Sequence, residues 1–261
     1  MNTSVEPRAV GKSGAAQVMN MDGESMYETQ VATAKRFPRD VQRSMEGAET
    51  IACLTTDIAA SCLYSLPRSK KAITGPSVRL AEIMVHSWGN MRCESRISDE
   101  GQKYIEAESV CWDMENNTAV RTTVRRRITG KNGSRYNDDM ITVTGNAAIA
   151  IAFRNAVFKV IPASVVDVIY QKARTRALGE EKPTSQRWND CVAKFAPMGV
   201  NEATLLGSLM LDEAAAVTKE DLEVLIGNFN AINNDEVTVE DLFPKAKPAA
   251  ETPMEPKEVK K

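Results

Sequence analysis

The sequence predicts an α+β fold: a three-stranded antiparallel meander packed on a long helix, with a small all-α C-terminal domain. Three observations predict it. Between Met91 and Thr129 the apolar pattern has period 2, interrupted by turn-rich segments. A long apolar stretch with helical periodicity, Met140–Ile161, follows directly. Beyond Glu180 the composition shifts to short amphipathic segments with helix-start signals and a net negative charge.

Along the chain, residues 1–34 read as a mobile N-terminal arm, the first 26 being rich in Gly, Ser, Asn and Met without periodicity. Pro38 suits the first turn of a helix that runs to Leu66-Pro67 with a break near Thr55-Thr56. Gly75-Pro76-Ser77 opens a second helix, Val78–Trp88, which Gly89-Asn90 ends. Three strands follow, Met91–Ile97, Tyr104–Trp112 and Ala119–Thr129, separated by Ser98–Gly101 and Glu115–Asn117. Such short connections make a meander the simplest topology. The long helix stops at Pro162, and Val165–Leu178 forms another. The core unit is therefore placed at 35–180, a linker at Glu181–Thr184 and a helical interaction domain at 184–244. In that domain Thr218-x-x-Asp221 and Thr238-x-x-Asp241 resemble capping boxes. Residues 245–261, almost entirely Lys, Glu, Pro and Ala, read as a disordered tail.

Composition narrows the function classes. The chain has 261 residues, 43% hydrophobic and 26% charged, the usage of a globular protein. Its apolar runs read as interrupted by charge short of the roughly 18 residues a membrane span needs. A cytoplasmic protein without membrane contact is expected. Five cysteines and no CxxC pair argue against a disulfide framework. The single histidine, His86, leaves a zinc site short of ligands and makes a Ser-His-Asp or Cys-His machine rest on one residue. No GxxxxGK[ST] motif is present, which disfavours an ATP-driven machine. The readings are of a non-enzyme with no cofactor, and no motif sets a magnesium requirement. The net charge of −2 hides an asymmetry: residues 1–179 carry 24 Lys+Arg against 19 Asp+Glu, and residues 180–261 carry 9 against 16. A basic body with an acidic appendage suits a polyanion binder.

The densest basic feature is the third strand, Val120–Ile128. Alternation sets Arg121, Thr123, Arg125 and Arg127 on one face and Val120, Thr122, Val124 and Ile128 on the other, with Arg126 on the apolar side. Lys131 and Arg135 extend the basic stripe. Guanidinium groups about 7 Å apart along a strand suit repeated phosphates. The competing reading pairs Glu108 with Arg125 and Glu106 with Arg127 in cross-strand salt bridges; a one-residue slip would remove those glutamates to the other face. On the long helix, Ile149, Phe153, Val157 and Val160 form a stripe read as core packing on the sheet. The narrow face of Thr144, Ala148, Ala152, Asn155 and Lys159 invites a close approach by another helix or by a nucleic-acid backbone. Arg154 flanks it. Tyr104, Trp112 and Tyr136 lie near the stripe and are candidates for stacking on bases. Asp138, Asp139 and Glu82 are the only carboxylates suggesting a metal-dependent nuclease, and their number is too small for a convincing site.

The segment Arg125-Arg126-Arg127-Ile128, then Gly133–Met140 leading into a helix that closes Phe158-Lys159-Val160-Ile161-Pro162, resembles the core of phage single-strand annealing proteins of the RecT/Redβ type. Leu66-Pro67-Arg68 and Ile73–Ser77 sit where such proteins have them, and Phe243-Pro244 matches the end of their small C-terminal domain. The resemblance spans Pro38 to Leu178. Where many members carry a basic run in the helix, this chain has Ala147-Ala148, Ala150 and Asn155. The resemblance implies an ATP-independent, ring- or filament-forming homo-oligomer that binds single-stranded DNA and anneals it to a complementary strand in phage recombination, holding the annealed duplex as product. The residues expected to bind are Arg121, Arg125, Arg127, Lys131, Arg135, Tyr136, Arg154, Asn155 and Lys159. Residues 184–244 are expected to dock a phage exonuclease or a host single-strand-binding protein. The alternative is a non-catalytic scaffold whose arginine strand is paired internally.

Overall fold

The computed structural model describes residues 23–66, 72–130, 132–179 and 183–244. The fold is α+β, with a three-stranded antiparallel sheet packed on a long helix and helices at the C-terminal end. Helix α1 (Gly23–Arg36) lies where the sequence reading has an arm up to residue 34, while residues 1–22 are outside the described set. Helices α2 (Val41–Ala52) and α3 (Thr56–Ser61) replace the single expected helix. The break at Thr55-Thr56 is a new start, because the Thr55 side chain accepts from Ile58 N at 3.1 Å.

Two short strands then appear that the periodicity did not show: β1 (Leu63–Leu66) and β2 (Ile73–Pro76), an antiparallel hairpin whose connecting residues 67–71 fall outside the described set. Helix α4 (Val78–Trp88) has the expected bounds. Ser77 caps it and Gly89 ends it at φ 66°, followed by Asn90 at φ 52°, both left-handed.

Strands β3 (Met91–Glu100), β4 (Tyr104–Asp113) and β5 (Thr118–Arg127) form the meander in that order. Helix α5 (Asp138–Val160) covers one face, and Asn137 caps its start by accepting from Met140 N at 2.9 Å. Its packing follows the expected stripe only in part. Val157 is buried as expected, but the small residues Thr144, Gly145, Ala148, Ala152 and Ala156 are buried too, whereas Ile149, Phe153 and Val160 are half-buried. Ala148 and Ala152 touch Ala107 of β4, and Thr122 of β5 donates to Ala152 O at 2.6 Å. A Cβ on Gly145 would stand 3.1 Å from Ile105 Cδ1 and 3.4 Å from Ile97 Cδ1. Small side chains thus bring the helix axis close to the sheet, and close approach rather than bulk selects the buried face. Contrary to the sequence expectation, α5 is by length and composition able to cross a membrane; here its small-residue side is spent on the sheet.

Register also joins Cys93 and Cys111 in a disulfide, with Cα atoms 4.2 Å apart. The expectation against disulfides came from sequence spacing, which does not register a pair brought face to face by antiparallel strands. At the same end of the sheet Arg39 reaches in from the α1–α2 connection. Its guanidinium donates to both oxygens of Asp113, at 2.7 and 2.5 Å, and to Glu115 at 3.2 Å, and it lies 4.7 Å from the centre of the Trp88 ring. Burial alone would raise the Asp113 carboxyl, but Arg39 and Asn116 overcome this and hold it below the ordinary carboxylate range.

After α6 (Ala163–Leu178) come α7 (Thr184–Phe195), α8 (Glu202–Leu209), α9 (Lys219–Asn233) and α10 (Val239–Leu242). Both capping boxes form. These helices share a core around Trp188, Phe195, Leu205, Leu222, Leu225 and Phe243. They are also docked firmly on the preceding body. Asn230 donates to Ala60 O at 2.8 Å and Leu63 O at 2.7 Å. Glu223 accepts from Tyr170 at 3.0 Å and pairs with Arg174 at 2.7 Å. Helix α9 is what pins the β1–β2 hairpin, so a four-residue strand survives that local propensity would not sustain.

Candidate nucleic-acid interface

Sheet alternation leaves the face opposite α5 open. On β4, Ile105, Ala107, Ser109, Cys111 and Asp113 are buried beneath it, while Tyr104, Glu106, Glu108, Val110 and Trp112 point outward. The β4–β5 register places Arg127 opposite Tyr104, Arg125 opposite Glu106, Thr123 opposite Glu108 and Arg121 opposite Val110. Arg121, Arg125 and Arg127 therefore share one outward row, as the alternation predicts, and β5 is an edge strand.

The row is not bare. Glu106 and Glu108 lie on the same face, in a register two residues away from the one weighed on sequence grounds; a shift of two preserves the face. Arg125 Nη2 donates to Glu106 Oε2 at 2.9 Å, and Arg121 Nη1 stands 3.4 Å from Glu108 Oε2. From the other flank, Arg96 Nη2 of β3 donates to Glu108 Oε1 at 3.3 Å. The hydrogen bond from Arg125, joined by one from Ser98, lowers the Glu106 carboxyl below its usual range. The arginines are nonetheless open, with side chains 72% (Arg96), 66% (Arg121) and 63% (Arg125) exposed, against 15% for Glu108 and 23% for Glu106. Arg127 makes no ion pair among the described residues. By register the face also carries Arg92, Glu94 and Asp99, so its five arginines meet four carboxylates.

Other expected residues do not join this row. Arg135 is a structural clamp on the β3–β4 turn, donating to Gly101 O and Glu100 Oε1, both at 2.5 Å. Tyr136 packs against Ile105, Ile128 and Ile141, finishing a small core instead of presenting a stacking surface. Lys131 lies outside the described residues. Arg154 is corrected most sharply. Its side chain is 11% exposed, pairs with the buried Glu236 at 3.1 Å and lies 4.2 Å from the centre of the Tyr64 ring. Burial raises the Glu236 carboxyl, and Arg154 and Arg126 oppose that rise. Arg126, on the apolar side as read, thus adds charge to a site that locks the C-terminal segment to α5. Asn155 is half-buried and Lys159 exposed. Both belong to the helix layer, across the sheet from the arginine row, so the strand and helix residues do not form one surface.

The structure adds a residue that sequence reasoning left out and opens one that it named. Arg96 reaches the row from β3; the signal was its period-2 placement with Arg92 and Glu94, eclipsed by the denser run in β5. Tyr104 is 42% exposed beside Arg127. Trp112, the other stacking candidate on this face, is partly covered by Tyr27 of α1 at 6.4 Å between ring centres, and Arg92 lies 4.5 Å from the centre of the Tyr27 ring. The open part of the face therefore runs from Val110 toward Tyr104 and Arg127.

Asp138 and Asp139 form the exposed first turn of α5, and Glu82 pairs with Arg79 at 2.6 Å. Among the described residues no three His, Cys, Asp or Glu side chains are grouped to hold a metal ion. Comparison of the chain with protein-family models, with curated proteins and with solved structures gives no match.

Proposed function

We propose that the protein binds single-stranded DNA without nucleotide hydrolysis and anneals it to a complementary strand, acting as a homo-oligomer in phage recombination in the bacterial cytoplasm. One observation carries the reading: an open sheet face with Arg96, Arg121, Arg125 and Arg127 projecting beside the exposed ring of Tyr104. Guanidinium groups grip phosphates without reading sequence, and an aromatic ring accepts any base. Pairing draws its free energy from the bases themselves, so the protein has only to neutralise phosphates and leave base edges free. Weak contacts repeated over many subunits add by avidity. The acidic C-terminal helices are poor DNA surfaces and suit a partner such as an exonuclease or a single-strand-binding protein.

The test is binding of an oligonucleotide as a function of salt. Engagement of about five phosphates per protomer predicts a log–log slope near about −3.5. Complementary strands should pair faster in the presence of the protein. A flat salt response, or no acceleration, rejects the reading.

A second reading is favoured by a specific observation, the pairing of Arg121 and Arg125 with Glu108 and Glu106. On it, the row serves the sheet alone: charged side chains solubilise an edge strand and discourage edge-to-edge aggregation. A nucleic-acid-free preparation that assembles fully, with no affinity for oligonucleotides, would establish it.

A further inference from the structure

We propose that Glu106 and Glu108 occupy phosphate seats, holding the places of backbone phosphates and weakening the grip of the arginines enough for a strand to be released. This rests on the reading of the sheet face as a single-strand surface and names how that surface is regulated.

The geometry is specific. The two oxygens of the Glu108 carboxylate each face a different strand: Oε1 accepts from Arg96 of β3 at 3.3 Å, and Oε2 forms an ion pair with Arg121 of β5 at 3.4 Å. A phosphodiester offers two non-bridging oxygens in the same forked arrangement, so Arg96 and Arg121 make a seat that fits it. Glu106 holds the next seat, with Arg125 at 2.9 Å. The two carboxylates are two residues apart on β4, about 7 Å. This is about the length of one nucleotide's sugar-phosphate backbone, so neighbouring phosphates of one strand can take both seats.

Exposure sets the order of events. The carboxylates lie low in the face and the guanidinium groups stand out above them. Each arginine has five N–H donors. Glu108 takes one from Arg96 and faces one nitrogen of Arg121, and the remaining donors are open to a phosphate arriving from solvent. Ion pairs this exposed contribute little to folding, so the exchange is cheap for the fold. The built-in carboxylates subtract attraction from every phosphate, which favours the release that annealing requires. Arg127 has no such partner among the described residues and is the first point of capture.

The experiment compares the full-length protein with the Glu106→Gln/Glu108→Gln double variant. The readouts are binding of an oligothymidylate of about 30 nucleotides across a salt series, a length that spans several sites, and the rate of complementary-strand pairing. Two freed seats add up to two phosphate contacts per protomer, steepening the log–log slope by about 1.4; between 1 M and 0.1 M salt that is a gain of up to about 25-fold. Pairing should slow at the same time. Thr123→Glu provides the opposite arm. Thr123 is exposed, opposite Glu108 on the same face, and a third carboxylate there should weaken binding. Thermal melts of both variants establish that they fold. If the wild type binds and neither variant changes the affinity, DNA lies elsewhere and the seats are refuted while the binding reading stands. If neither wild type nor double variant binds, both fall together.

Discussion

Gly227 gives the sharpest test of how the C-terminal helices are attached. It lies within α9, where replacing glycine by alanine ordinarily stabilises by about 1 kcal/mol through helix propensity. Here the added Cβ would stand 2.4 Å from Ser65 N, 2.5 Å from Ser65 Cβ and 2.7 Å from Tyr64 C. The nearest of these is strand backbone, which cannot rotate away. Restoring ordinary contact requires α9 to retreat from β1 by about 1 Å, because carbon contacts lie near 3.5 Å. That retreat stretches the Asn230 hydrogen bonds to Ala60 and Leu63 and pulls on the Tyr170–Glu223 and Arg154–Glu236 contacts. Overpacking of this sort costs about 1–3 kcal/mol, and strained hydrogen bonds add to it. Gly227→Ala should therefore destabilise by about 2 kcal/mol net of propensity, lowering Tm by about 4–8 °C in a chain of this size. Calorimetry on the intact protein measures it. Gly207→Ala in α8 is the control: nothing lies within 4 Å of its added Cβ, so it should hold or raise Tm. A Gly227→Ala protein as stable as wild type would refute the docked arrangement.

Other outcomes follow from the same contacts. Arg39→Ala leaves Asp113 buried without its cation and should cost about 3–5 kcal/mol in urea unfolding. Since Asp113 titrates below the ordinary carboxylate value, its stabilising contribution is present above about pH 4 and is lost as pH falls through the depressed value; acid-unfolding curves of wild type and Arg39→Ala should converge there. Arg154→Ala should lower stability but leave the salt slope of oligonucleotide binding unchanged, because its side chain is committed to Glu236. Arg127→Ala should do the reverse, reducing that slope by about 0.7 without a change in Tm. A chain ending at Gly179 should lose the cooperative transition of the whole protein, because it strips Glu223 from Arg174 and Tyr170, Glu236 from Arg154, and α9 from β1.

How far the sequence could be read depends on the range of the forces involved. The start of α4 at Ser77, its end at Gly89-Asn90 and the capping boxes at Thr218 and Thr238 depend on hydrogen bonds a few residues long, and they stand where the residues predict. The three strands depend on period-2 burial and fall within a few residues of their expected bounds. The β1–β2 hairpin was invisible because its support is α9, which begins 143 residues after the hairpin ends. The buried side of α5 was legible only in part: Val157 is buried as its stripe predicts, but hydrophobic weight also favours Ile149 and Phe153, while the sheet selects side chains small enough to let the backbone come near.

The candidate site divides in the same way. Alternation alone puts Arg121, Arg125 and Arg127 on one face, since a strand has only two. Whether glutamates share that face is a matter of register, and whether Arg154 is free depends on Glu236, 82 residues away. The sequence by itself determined the fold class, the meander and the arginine row, because local propensity and side-chain period are properties of neighbouring residues. Only the tertiary structure decided which basic groups meet solvent and which meet carboxylates, because a charge is paired by whatever the folded chain brings within a few ångströms of it.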